Sequence, residues 1–276
     1  MGRNVYLLIG YDVETQERSS KTIRFLKLAP KIHSEYGVSC TFFILGRTLL
    51  YHLNEFKRVR EKYGNIIDFQ QHTYSHILFK NLIIEYRNYL WKKAEHPKKI
   101  EAEIEITSDL LNILLNVKCI GLTVPWGCYR GLLDRPDLLQ ILWDSGIRFV
   151  RSWGRNERDS LPVSFNVQPF WYDRIVKEYP PILECPVQGW HDNALKSRLK
   201  NRDEYLNYVK RNLDYISEKK LVWGYVQHDH SSFWKDPEMK IVEEMISDSL
   251  DRDIKIISYR EFYLMKARER GLDVKF

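Results

Sequence analysis

Short apolar runs alternate with amphipathic stretches along almost the whole chain. Residues 5–9 form a continuous apolar run of strand length, and over 21–35 the apolar residues Ile23, Leu26, Ala29 and Ile32 recur at the spacing of one helix face. Gly37 stops that helix, and 39–45, SCTFFIL, is aromatic and β-branched enough for a second strand. A second helix follows over 49–63 with Leu49, Leu53, Phe56 and Val59 in phase, and 65–69 reads as a third strand. The long segment 72–116 ends in a strong helical pattern over 100–115. Its first half carries Tyr86, Tyr89 and Trp91 and fits either a lid over a site or a plain extra helix. Further strands are expected at 118–122, 147–151, 182–188, 221–227 and 254–258, with helices at 136–145, 202–219 and 238–250 and a charged helix at the C-terminus. Residues 161–181 read as irregular.

Seven or eight strand–helix units joined by right-handed crossovers either close into a barrel or stay open as a doubly wound sheet. The residue types at the strand ends favour the barrel, which gathers function at the C-terminal ends of its strands. Asp12 and Glu14 follow the first expected strand, His72 and His76 the third, and Pro125 and Trp126 the fourth. Arg151 and Trp153 follow the fifth, Trp190, His191 and Asp192 the sixth, and His228, Asp229 and His230 the seventh. The expected fold class is therefore α/β, a distorted (β/α) barrel of about seven parallel strands, with residues 1–276 as a single domain.

At 276 residues and 44% hydrophobic content the chain can bury one large core. It holds no apolar run of about 18 residues, and VYLLIG is too short for a signal-peptide core, so a cytoplasmic protein with no membrane association is expected. The net charge of +6 does not point to nucleic acid, because lysine and arginine are interspersed with acids in stretches read as helical, such as 57–62 and 92–99. The four cysteines form no CxxC pair and read as reduced. There is no G-x-S-x-G, no Gly-rich phosphate loop and no G-x-G-x-x-G, which argues against serine hydrolases, kinases and dinucleotide enzymes.

His72 and His76, in FQQHTYSH, stand four apart, which puts both imidazoles on one face if the chain enters a helical turn there. A hydrolytic metal needs a third protein ligand, and GYDVE (10–14) offers carboxylates. The ordered set GYDVE, HTYSH, VPWG, ECPVQGWHD and VQHDH resembles the polysaccharide deacetylase family of carbohydrate esterases, over most of the chain from Val5 to His230. HTYSH matches the family's H-[ST]-x-x-H metal motif completely. The resemblance implies a distorted barrel, one divalent metal ion (usually zinc, with cobalt or nickel as alternatives) and removal of N-acetyl groups from amino sugars.

Carried over by position, the resemblance makes Asp12 the general base and His228 the general acid, with Glu14, His72 and His76 as the metal ligands. Trp126, Trp190, Asp192 and Arg151 are candidate substrate or oxyanion contacts, with a backbone N–H near Trp126 completing the oxyanion site and Asp192 orienting His228. Trp126, Trp153 and Trp190 are expected at the mouth of the site, as a wall for a small or terminal sugar. His191 and His230 read as local hydrogen-bonding residues and Asp229 as a turn residue. Two departures stand out. The second acid is Glu14, two residues beyond Asp12, where the family usually has an aspartate closer to the base. Thr123 occupies the place of the arginine of the family's R-x-P motif, the group that pairs with the base; Arg130, Arg151 and Arg155 are the candidates to replace it. The expected partner is an N-acetylated saccharide or small amide. The alternatives are another C–N hydrolase on the same scaffold, such as an amidase or cyclic ureide hydrolase, and an inactive carbohydrate-binding protein.

Overall fold

The computed structural model describes residues 4–86 and 88–273. Its strands are β1 (Tyr6–Val13), β2 (Cys40–Ile44), β3 (Ile67–Gln71), β4 (Leu82–Tyr86), β5 (Asn88–Lys92), β6 (Gly121–Tyr129), β7 (Phe149–Arg155), β8 (Phe170–Trp171), β9 (Leu183–Glu184), β10 (Val222–His228) and β11 (Lys255–Ile256). β4 and β5 form a separate antiparallel hairpin. The others make one sheet in the order β10-β1-β2-β3-β6-β7-β9-β8, with β11 also beside β1, parallel throughout except where β8 meets β9.

The central strand β1 is buried at every position, as a parallel strand covered on both faces must be. Its side chains alternate. Leu7, Ile9, Tyr11 and Val13 join the large cluster under the surrounding helices, whereas Tyr6 and Leu8 face a second, inner cluster with Phe43, Phe149 and Leu183. Tyr259, Phe262 and Tyr263, on the helix Tyr259–Glu269, belong to that inner cluster and plug the sheet's concave side. The same inner row of β1 continues through Gly10 to Asp12. The distorted (β/α) barrel expected from the sequence is present as a curled, mostly parallel half-barrel sheet.

Between β9 and β10 the curl is bridged by a segment that is not a regular strand. Cys185 and Val187 donate to the carbonyls of Val150 and Trp153, and Gln188 donates to the carbonyl of Gly224 at 3.2 Å while its side-chain Oε1 accepts from the Gly224 N–H at 2.6 Å. A Cβ at position 224 would lie 2.2 Å from the carbonyl oxygen of Pro186, so this close approach requires glycine. Pro186 also explains why the strand expected over 182–188 shrinks to Leu183–Glu184.

Other expectations need correction. The helix read over 49–63 is two helices, Gly46–Tyr51 and Leu53–Tyr63, broken at His52 (φ −125°, ψ 28°). Of the stretch 92–99 read as helical, only 97–99 are, because Lys92 ends β5 and the next helix starts at Pro97, the residue suited to a first turn. The tyrosine-rich part of 72–116 is the β4–β5 hairpin rather than a helix. The side chains of Tyr86 and Tyr89 fall outside the described residues, and Trp91 is exposed. All four cysteines are free and buried. Among the described residues no helix is long and apolar enough to cross a membrane.

Candidate active site

β1, β3, β6, β7 and β10 deliver their C-terminal ends to one rim, and the segment after β3 brings the two histidines together there. It does so by a turn rather than a helix: Thr73 (φ 66°) and His76 (φ 65°) both adopt left-handed backbone conformations, and the His76 N–H is held by the Thr73 hydroxyl at 3.2 Å. Glu103 holds this turn from the helix Pro97–Leu115. Its carboxylate accepts the N–H groups of Tyr74 and Ser75 at 3.0 and 2.7 Å and the Ser75 hydroxyl at 2.5 Å. The sequence carried a signal for this residue, an acid within the mainly apolar buried stripe of Ile100, Ile104, Leu111 and Leu115.

Glu14 Oε2 lies 3.2 Å from His72 Nε2 and 3.0 Å from His76 Nε2, and the three side chains place one ligand atom each within 4.8 Å of one another. A tetrahedral ion with ligands at about 2.0–2.1 Å keeps its ligand atoms roughly 3.3 Å apart, so the donor set fits a divalent cation. His72 Nδ1 donates to the Thr123 carbonyl at 2.9 Å, which fixes the ring and leaves Nε2, facing Glu14, free to accept or to coordinate. Glu14 is itself positioned. Its N–H donates to Asp229 Oδ1 at 3.2 Å, and Asp229 Oδ2 accepts the Thr22 hydroxyl at 2.5 Å. Asp229 is thus a buried brace for Glu14, more than the turn residue expected. Burial alone would raise the Glu14 carboxyl pKa, but His228, His72 and His76 hold it well below the usual range.

Asp12 ends the inner row of β1, and its carboxylate pairs with the guanidinium of Arg151 on β7. Arg151 Nε donates to the Thr123 hydroxyl at 2.9 Å, and that hydroxyl donates to the Arg151 carbonyl at 3.1 Å. The departure at Thr123 thereby resolves: the arginine comes from the neighbouring strand, and the threonine braces it. Arg151 lies over the Phe43 ring at 4.4 Å and fills the space above Gly10, where a Cβ would meet Nη1 at 2.6 Å. Arg151 is held in turn by its own strand. Glu184 accepts the N–H groups of Ser152 and Trp153 at 2.9 and 2.8 Å and the hydroxyls of Ser152 and Tyr172 at 2.5 and 2.7 Å. Complete burial pushes the Glu184 carboxyl pKa up despite these donors.

His228, at the end of β10, faces the same centre, with Nε2 3.9 Å from Asp12 and 4.0 Å from Glu14. Its Nδ1 is 2.6 Å from Asp192 Oδ1, and the other Asp192 oxygen accepts the His228 N–H at 3.0 Å and the Ser231 hydroxyl. Burial would lower the imidazole pKa, but Asp192, Glu14 and Asp12 together lift it to about 10. Asp192 is buried behind His228, in contact with its Nδ1, and is not among the residues that line the cavity. His191 packs 5.5 Å from the His228 ring, and burial lowers its pKa to about 4.

These groups open into one cavity of about 490 Å³ lined also by Trp126, Trp190, Arg155, Arg198 and His230. Trp126 sits at its mouth in a left-handed conformation (φ 68°), where the β6–β7 register is interrupted between Thr123 and Cys128, and its ring is 5.7 Å from that of His76. Trp153 does not line the cavity. It packs edge-on against Tyr129 and Phe170, so the expected three-tryptophan wall is a pair.

Fold and site together define a curled parallel α/β half-barrel with a His–His–Glu cluster at its C-terminal rim. The polysaccharide deacetylase family profile matches residues 13–148, a span that holds Glu14, His72 and His76. Over that span, just under half of its 276 residues, the chain is similar to the polysaccharide deacetylase family. Among solved structures, a Mycobacterium smegmatis protein classed with the polysaccharide deacetylases superposes with a TM-score of 0.72 at 13% identity, over 100% of this chain and 94% of its own. The PuuE allantoinase gives 0.71 at 10% identity, over 98% and 92%. A pseudoenzyme of carbohydrate esterase family 4 from Bacillus anthracis gives 0.55 at 14%, over 94% and 66%. At these identities the likeness is one of fold. No curated protein matches the chain significantly.

Proposed function

We propose that this chain is a metal-dependent hydrolase that removes the N-acetyl group of an amino sugar or related glycoconjugate, with Glu14, His72 and His76 as the ligands of one divalent ion, zinc being the first choice for two imidazoles and a carboxylate. The observation that carries the reading is the convergence of this donor set with Asp12 on one side and His228 on the other, in a single cavity. A divalent ion held there supplies the Lewis acidity that polarises the amide carbonyl. Asp12, oriented by Arg151, accepts the proton of the attacking water. His228, charged and oriented by Asp192, donates a proton to the leaving amine. Trp126 and Trp190 flank the sugar. The cavity volume is within the range of small-molecule sites, which supports a small or terminal sugar over a long chain. The whole chain acts as one domain in this reading, since β10 and β11, late in the sequence, pair directly with β1.

Acetate release from mono-, di- and oligomeric N-acetylglucosamine, with and without chelator, tests the activity. Chelator-sensitive release from the shortest substrates is expected, and metal-independent release, or none from any member, would contradict it. Opening of allantoin, measured alongside, tests the second reading, which the likeness to the allantoinase supports.

Asp192→Asn provides a test of the acid. Its negative charge favours the protonated ring, so removing it lowers the His228 pKa from about 10 and moves the alkaline limb of the rate profile to lower pH. A cation on Glu14 cancels that carboxylate's share of the shift, which makes Asp192 the dominant remaining cause. An unmoved alkaline limb would show that His228 is not the group that titrates there.

A further inference from the structure

We propose that the side of the cavity formed by Arg155 and Arg198 is a subsite for an oxyanion, so that the substrate class is an acidic N-acyl amino sugar, bearing a phosphate or carboxylate, rather than a neutral one. This deepens the deacetylase reading and rests on it.

The charges of the cavity sort into two groups. At its floor Asp12 is matched by Arg151, and Glu14 stands between His72 and His76. Away from the floor the charged lining residues are Arg155 and Arg198, against the single acid Asp159. Among the described residues neither guanidinium has a carboxylate oxygen within 4.0 Å. Arg155 donates Nε to the Trp126 carbonyl at 3.0 Å and Nη1 to the Asp159 carbonyl, both neutral acceptors. These two bonds tie the arginine to the wall and leave its charge unmatched at close range. Burial lowers the Arg155 pKa, while the more distant Asp159 opposes that shift. A partly desolvated cation of this kind is stabilised by an anionic ligand.

Arg198 is fixed differently. Its guanidinium lies 4.0 Å from the centroid of the Trp190 ring, the face-on arrangement in which stacking orients the plane and leaves the edge N–H groups available. Trp190 is itself a wall of the cavity, so the sugar-facing surface and the cation are one unit. Asp159 offsets at most one of the two positive charges. A planar fork with free edges suits a carboxylate or phosphate bidentately, whereas a sugar hydroxyl needs no such charge.

The test compares kcat/KM for N-acetylglucosamine with that for its 1-phosphate and 6-phosphate and for the carboxylate-bearing N-acetylmuramic acid, in the metal-loaded enzyme. At least one acidic sugar is expected to exceed the neutral one on the order of 10- to 100-fold, the range of a hydrogen-bonded charge pair, mainly through KM. Which arm responds distinguishes phosphate from carboxylate. In Arg155→Gln/Arg198→Ala the acidic-to-neutral ratio should fall towards one. Arg198→Ala alone, at an exposed position, serves if the double variant does not fold. A second readout needs no turnover: tryptophan fluorescence should report tighter binding of glucosamine 1- or 6-phosphate than of glucosamine, with the difference reduced in Arg198→Ala. Acetate release with no acidic preference, or with a preference untouched by the substitutions, overturns the subsite and leaves the deacetylase reading standing. Arg198-dependent binding of sugar phosphates with no acetate released from any sugar supports the subsite and overturns the reaction.

Discussion

Asp12→Asn is expected to cut acetate release by on the order of 10²-fold or more, the scale of lost general-base assistance, while metal content stays at the wild-type level. Asparagine keeps the shape of the side chain and its place at the end of the inner row of β1, and Asp12 is not one of the three residues whose donor atoms converge for the metal. What it loses is the ability to accept a proton beside that centre. The site should therefore remain loaded but slow, in a protein that is also less stable because the buried Arg151 guanidinium loses its carboxylate partner. Elemental analysis and rate measurement on the same sample separate the two effects, and a fully active variant would remove Asp12 from the mechanism.

The second large effect is expected at Arg151. Replacing it with methionine retains apolar bulk over Phe43 and above Gly10 but leaves the Asp12 carboxylate without its partner, and both residues are buried, at 2% and 7% exposure. Removing one member of a buried ion pair destabilises by about 3–5 kcal/mol, because the remaining charge is left uncompensated. His228, 3.9 Å from the same carboxylate, softens this only in part. Urea unfolding at pH 7 under fixed metal concentration should show the loss, and a change below about 1 kcal/mol would mean that the pair contributes little to the fold.

The sequence made the strand–helix alternation legible because each parallel strand is a compact apolar run and each covering helix has one apolar stripe. The helix Arg202–Lys219 agrees at both ends. β1 was read short, as 5–9, because its last part carries Gly10 and Asp12, polar or bare positions that face the site rather than the core. The i, i+4 spacing of His72 and His76 would bring the rings together in a helical turn, but here a left-handed turn held by Glu103 does so instead. A pattern of spacing cannot reveal a brace 27 to 31 positions away in sequence. The same holds for Arg151. It was one of three arginines named for the vacancy at Thr123, and only the pairing of β6 with β7, which sets Thr123 opposite Arg151, selects it. Asp229 and Glu184 were missed or undervalued because a lone acid after a strand, or inside one, carries no period that distinguishes a brace from a surface group.

The central claim is that Glu14, His72 and His76 hold one catalytic cation. Its most direct test is the divalent metal bound per chain, measured by elemental analysis after exhaustive dialysis, for the parent protein and for His76→Ala, whose partly exposed ring is the least costly of the three to remove. Close to one ion per chain in the parent and close to none in His76→Ala is the predicted result. Equal metal content in the two proteins would contradict the site and the mechanism built on it.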